Sequence, residues 1–374
     1  MNLIRSRYVL AMLALVLLRP MCAAQTSDTS LGGDRQPFAP DMQPSRVFFG
    51  WPRQHYFEGD LWLPIHLVSR TRGLREATPL AGTRWTGRGW NLVFVPHFTF
   101  RQSDSKAVRS APVLTPTFNP FFEFNAHRIA VRPSESSQVQ WFPSLVGAYR
   151  RGALRSLRLR IGHYSNGQAG CLYASQARAA DSSCSAIPAG SRLNVRDGSF
   201  STHYGELELS QAYLFFDKQL AERSAWFVRG SLRNNPAFLA PLGGMDSELA
   251  AAYGRTSVAG SVEYRARVGG NAGMGNRGVQ LRFPVVVSVR GDGTRFLSRA
   301  SAYPAYELAV TARISFPQLY GLGLLVRCFR GADYYNIGFG NQPASACAAG
   351  LQVDHTTPIT LTPEARRRLT TTYR

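Results

Sequence analysis

From Leu157 to Ile161 the chain alternates without a break. Leu157, Leu159 and Ile161 fall on one face of an extended strand, and Arg158 and Arg160 on the other. The same period of two runs through Leu281, Phe283, Val285, Val287 and Val289, opposed by Arg282, Ser288 and Arg290. Segments of this kind, rich in aromatic and β-branched residues, are broken by clusters of Gly, Asn, Asp, Ser and Arg. They predict strands near 57–70, 88–101, 119–132, 138–150, 156–168, 203–217, 224–233, 257–267, 280–290, 304–314, 322–333 and 345–354. The fold expected is all-β, an antiparallel transmembrane β-barrel of about twelve strands, an even number as such barrels have. Aromatic residues near segment ends, Trp85, Trp90, Trp141, Phe215, Phe216 and Trp226, suit girdles at the two membrane interfaces. A soluble β-sandwich shows the same alternation, but its interior would have to accept this much glycine and arginine.

The first residues carry a different pattern. Arg5 and Arg7 precede an apolar run from Tyr8 to Leu18, and Cys22-Ala23-Ala24 stands ahead of Gln25, the layout of a secretory signal peptide over residues 1–24. Pro20-Met21 before Cys22 fits a lipoprotein signal badly. No later stretch offers the roughly 20 uninterrupted apolar residues of a membrane helix. Residues 25–55 are expected to be a flexible lead-in, 56–354 the barrel domain, and 355–374, with Arg366-Arg367-Arg368, a basic extension.

Charge and cysteine change the picture modestly. The formal charge is +20, and lysine occurs only at Lys106 and Lys218, so the excess is arginine. Such a chain suits anionic lipid headgroups and lipopolysaccharide phosphates, although genomic base composition gives the same bias. The arginines are scattered through strands in an exported chain, which argues against nucleic acid. Export into an oxidising compartment favours disulfides among Cys171, Cys184, Cys328 and Cys347, with local pairing expected. Zinc lacks a CxxC or a nearby histidine pair. Glu206 and Glu208 oppose Leu207 and Leu209 in phase, so they are expected to pair with Arg158 and Arg160 inside the barrel.

The candidate chemistry sits at the end of the first strand described. Continuing the period of two, His163 and Ser165 share the apolar face with Leu157, Leu159 and Ile161. A base and a hydroxyl two residues apart can form a nucleophile pair. Inside a soluble core such a pair has no substrate, whereas on a barrel it faces lipid. Counting back by twos from Leu209 and Leu207 reaches His203, which places a possible orienter of the base on the same face of the next strand.

The run His163-Tyr164-Ser165-Asn166-Gly167, followed by Ser199-Phe200-Ser201-Thr202-His203-Tyr204, resembles the bacterial outer membrane phospholipase A family. That family carries His-x-Ser-Asn-Gly and then Ser-x-Ser-x-Asn on the next strand, and the likeness spans about residues 55–354. It implies a phospholipase A1/A2 hydrolysing acyl esters of glycerophospholipids, with His163 as base, Ser165 as nucleophile and His203 as orienter where the family has asparagine. It further implies Ca2+, carried by the carbonyl of Gln168, the hydroxyl of Ser199 and a partner's Ser110, and hence a homodimer when active. The expected partners are membrane phospholipids and lipopolysaccharide, and the expected location is the cell outer membrane. A neutral imidazole at 203 can still accept from the N–H of His163, and does so less well once protonated. Lipid A deacylases also carry a His-x-Ser-Asn stretch facing lipid, on much shorter barrels, and a catalytically silent barrel of the same family is a third reading. His55, His66, His97, His127 and His355 stand singly and are read as structural.

Overall fold

A computed structural model describes residues 45–51, 56–77, 84–103, 114–133, 150–166, 170–176, 179, 184–186, 192–194, 198–216, 222–236, 245, 247–268, 285–297, 299–300, 304–316, 319, 322–332 and 344–353. The strands are β1 (Ser45–Trp51), β2 (Tyr56–Trp62), β3 (Ile65–Ala77), β4 (Arg84–Val95), β5 (His97–Ser103), β6 (Leu114–Phe118), β7 (Phe121–Pro133), β8 (Arg150–Ser165), β9 (Ser201–Phe216) and β10 (Glu222–Asn234). They continue with β11 (Thr256–Val268), β12 (Val285–Phe296), β13 (Tyr306–Phe316), β14 (Leu322–Gly331) and β15 (Ala344–Val353). One helix, α1 (Ser247–Tyr253), lies between β10 and β11. The chain is all-β, in one large antiparallel sheet.

Proline explains the short strands near the start. It has no N–H to give the ladder, and Pro64, Pro96 and Pro120 stand at the β2–β3, β4–β5 and β6–β7 breaks. Pairing carries on across each break: β2 pairs with β5 while β3 pairs with β4, and β5 pairs with β6 while β4 pairs with β7. Leu63 N donates to Pro96 O at 3.2 Å, and Asn119 N to His97 O at 2.8 Å, so the notches stay hydrogen-bonded. The first strand pairs along its length with the last, Ser45 opposite Val353 and Trp51 opposite Cys347. β8 and β9 pair from Arg150–Phe216 to Ser165–Ser201.

One sequence expectation changes here. Ser45–Trp51 is a strand inside the stretch read as a flexible lead-in, because Val47, Phe48 and Phe49 are consecutive and give no alternation to recognise. The expected strand at 138–150 falls outside the described residues except for Arg150, which begins β8. The tail at 355–374 also lies outside them, and so does Trp141 of the expected girdles.

Along the long strands the exposed face is apolar and the buried face carries charge. Ile161 is 64% exposed and Leu209 60%, whereas Arg158 between the β8 leucines is 4% exposed. Val228, Val262, Val289, Val310 and Val326 are also exposed. The buried face holds the charges: Arg158 Nη1 donates to Glu208 at 3.0 Å, and Arg160 to Glu123 at 2.7 Å and Glu206 at 3.0 Å. Glu263 takes both Arg229, at 2.9 Å, and Arg313. Glu206 and Glu208 therefore pair with Arg158 and Arg160 as the alternation predicts. Apolar clusters flank this charged belt. One contains Tyr164, Phe200, Tyr204 and residues of α1; the other contains Leu154, Leu214 and Phe227. Cys171–Cys184 and Cys328–Cys347 are the disulfides, both local as expected.

Candidate active site

The antiparallel register of β8 and β9 sets His163 directly opposite His203 and Ser165 directly opposite Ser201. All four side chains are half-buried and share the exposed face with Leu157, Leu159, Ile161, Leu207 and Leu209. The two imidazoles meet through their Nδ1 atoms at 3.3 Å, with ring centroids 4.7 Å apart. One Nδ1 must carry the proton and the other accept it. That leaves each Nε2 pointing away from the partner ring. Among the described residues, no hydrogen bond joins Ser165 or Ser201 to a side chain, so engagement of a serine by an imidazole requires a side-chain rotation.

What holds this pair in place lies on the buried face. Gly162, next to His163, packs on the ring of Tyr204, next to His203. A Cβ at 162 would stand 2.6 Å from the Tyr204 Cζ and hydroxyl, so only glycine fits. Tyr204 is itself fixed, with Arg233 stacked 3.6 Å from its ring centre and its hydroxyl donating to Asn119 Oδ1 at 2.8 Å. Asn119 Nδ2 reaches His97 Nδ1 at 3.3 Å, and His97 Nε2 reaches Asp60 Oδ1 at 2.6 Å. Arg46 Nε closes the chain on Asp60 at 3.1 Å, while Trp62 stacks on the His97 ring at 4.0 Å. His97, read as structural, is thus the middle of a buried network, and His127 is likewise buried. A cavity of about 280 Å³ lies beside the network, bounded also by Arg160 and Glu206.

Asn166 follows β8 directly and is fully buried. Its Nδ2 donates to Gly198 O at 2.9 Å, and its Oδ1 accepts from Phe200 N at 2.9 Å. This clasp locks Gly198-Ser199-Phe200 against the end of β8. Ser199 N donates to Gly170 O at 2.8 Å, and Asn194 takes Gly198 N at 3.0 Å while its Nδ2 donates to Cys171 O at 3.1 Å. The Cys171–Cys184 disulfide therefore closes the same loop that seats Ser199. Tyr173 from that loop donates its hydroxyl to Glu248 of α1 at 3.5 Å. The Ser247 hydroxyl bonded to Glu248 holds its carboxyl below the ordinary carboxylate value.

Of the sequence candidates, the structure brings His163, Ser165 and His203 together, with Ser199 on the clasped loop. Gln168 and Ser110 lie outside the described residues. No cluster of three or more His, Cys, Asp or Glu suited to a metal occurs among the described residues; a site of hydroxyls and carbonyls would contain no such cluster. Two features beside this constellation escaped the sequence reading, the placement of Ser201 and the contacts of Asn166. Ser201 was detectable, being two residues before His203 in the same phase; the Asn166 clasp was not, since it joins backbone atoms 32 and 34 residues away. Comparison with protein-family models, with curated proteins and with solved structures finds no match.

Proposed function

We propose that this chain is an outer-membrane phospholipase A, a closed twelve-stranded barrel whose lipid-facing Ser165 and His163 hydrolyse acyl esters of glycerophospholipids. The observation that carries the reading is the placement of a Ser-His-His constellation on the face where Leu157, Leu159, Ile161, Leu207 and Leu209 are exposed. Such a face has no stable place in water, and a nucleophile on it meets acyl chains. Closure is supported by the β1–β15 and β8–β9 pairings. Counting each proline-notched run, 56–77, 84–103 and 114–133, as one strand gives twelve. The paired charges on the other face suit a filled lumen.

Chemically, Ser165 Oγ gives its proton to His163 Nε2 as it attacks the ester carbonyl. His163 then returns that proton to the departing glycerol oxygen, leaving an acyl-enzyme that water cleaves by the same route. His203, accepting at Nδ1 from His163 Nδ1–H, keeps the Nε2 lone pair of His163 free and aimed outward; the 3.3 Å separation supports this role. Oxygen donors of the Ser199 kind are those a hard dication prefers. Ca2+ held there, with Gln168 and a partner's Ser110, would supply Lewis-acid stabilisation of the oxyanion, and a ligand from a second copy would make the homodimer the active form.

The test is release of fatty acid from phospholipid–detergent micelles, in Ca2+ and in chelator. Activity dependent on Ca2+ and lowered roughly 10²–10⁴-fold by His163→Ala is expected. Hydrolysis indifferent to His163→Ala, or none with any phospholipid, contradicts the proposal.

A further inference from the structure

β8 ends His163-Tyr164-Ser165 and β9 begins Ser201-Thr202-His203, and the register lays these segments against each other head to tail. His163 faces His203, Tyr164 faces Thr202, and Ser165 faces Ser201. Along the chain the order is reversed, His-x-Ser on β8 and Ser-x-His on β9, so like residues stand side by side across the two strands. On each strand the serine and the histidine lie two residues apart on one face, roughly 6–7 Å along the strand, so His203 has the spacing to Ser201 that His163 has to Ser165. All four side chains are half-buried on the exposed face.

We infer that Ser201 and His203 form a second nucleophile–base pair beside Ser165 and His163, working on the same lipid ester class. This rests on the hydrolase reading above. The hydrogen bond between the two Nδ1 atoms makes the roles exclusive at any moment. The imidazole whose Nδ1 bears the shared proton has an unprotonated Nε2 and is the base; the other has its proton on Nε2 and is the orienter. When His203 is the donor, Ser201 Oγ passes its proton to His203 Nε2 and forms the bond to the acyl carbon. The bond from that carbon to the glycerol oxygen breaks, and His203 Nε2–H protonates the leaving oxygen. Water then gives a proton to His203 Nε2 and attacks the acyl carbon. The carbon–Ser201 Oγ bond breaks, fatty acid leaves, and the proton returns to Ser201. Each cycle consumes one ester and one water.

The experiment is covalent labelling with hexadecylsulfonyl fluoride in detergent, located by peptide mass spectrometry, with folded protein verified by heat-modifiable gel migration. Ser165→Ala is expected to be labelled at Ser201, and Ser201→Ala at Ser165. Adding His203→Asn should reduce the Ser201 adduct at least tenfold while the Ser165 adduct persists, because asparagine still accepts from His163 but cannot take a serine proton. Labelling at Ser165 with no adduct at Ser201 in Ser165→Ala overturns the second pair and leaves the hydrolase reading standing. A Ser201 adduct insensitive to His203→Asn overturns His203 as its base. Absence of label at both serines in the unsubstituted chain overturns the hydrolase reading and the second pair together.

Discussion

Gly162→Ala is the smallest perturbation that reaches the paired imidazoles without touching them. The added Cβ would lie 2.6 Å from the Cζ and hydroxyl of Tyr204, inside the closest approach that carbon tolerates. Tyr204 cannot swing aside cheaply. Asn119 holds its hydroxyl at 2.8 Å, and Arg233 covers the ring at 3.6 Å. The strain must therefore be taken up between β8 and β9, at the step where His163 and His203 are 3.3 Å apart. Overpacking of this kind costs about 1–3 kcal/mol. A misplacement approaching 1 Å in a catalytic group costs on the order of 10²-fold in rate. The control is Gly205→Ala, opposite Ile161 on the same two strands, where a Cβ meets nothing within 4 Å. Fatty-acid release and the midpoint of denaturant unfolding should be measured for both. Gly162→Ala should lose ten- to a hundredfold in rate and unfold earlier, and Gly205→Ala should change neither by much. Equal behaviour of the two variants would refute the idea that Tyr204 and Gly162 set the imidazole spacing.

Other outcomes are expected from the same framework. Asn166→Ala leaves Gly198 O and Phe200 N without their partner, at about 1–3 kcal/mol; it should raise the Ca2+ concentration needed for half-maximal hydrolysis, read by Ca2+ titration, because it frees the Ser199 loop. Glu263→Gln removes the charge shared by Arg229 and Arg313 and should destabilise folding by about 3–5 kcal/mol, seen in unfolding midpoints, with little effect on rate per folded molecule. In a Ser201→Ala background, His203→Asn should preserve hydrolysis further into acid than His203 does, since a second proton on the imidazole pair destroys the Nδ1 acceptor whereas an amide oxygen accepts at every pH. His203→Ala should lower the rate throughout the same pH profile.

The parts of the fold legible in the sequence are those where each position speaks for itself. β8 reads Leu-Arg-Leu-Arg-Ile, and its phase carried through to His163 and Ser165 without error. The same phase on β9 located His203, but the strand begins at Ser201, two residues earlier than expected, and so a serine facing Ser165 was left unassigned. Pro64, Pro96 and Pro120 sit within segments that read as continuous strands; their effect is to notch the ladder while side-chain periodicity continues around them. Long-range contacts were beyond reach. Nothing local ties His97 to Asp60, 37 residues away, or Tyr204 to Asn119, 85 residues away. These contacts depend on which strands pair, and that is settled by the whole sheet.

The proposed lipid-facing site is tested most directly by a nitroxide scan of β8 in a phospholipid bilayer. Spin labels placed in turn at Leu157, Arg158, Leu159, Arg160 and Ile161 are read for collision with oxygen, which concentrates in lipid, and with a water-soluble nickel chelate. Labels at Leu157, Leu159 and Ile161 should collide chiefly with oxygen, and those at Arg158 and Arg160 should be shielded from it. Preferential collision with nickel at Leu157, Leu159 and Ile161 would put water on the face that carries His163 and Ser165, and would contradict a lipid-facing active site.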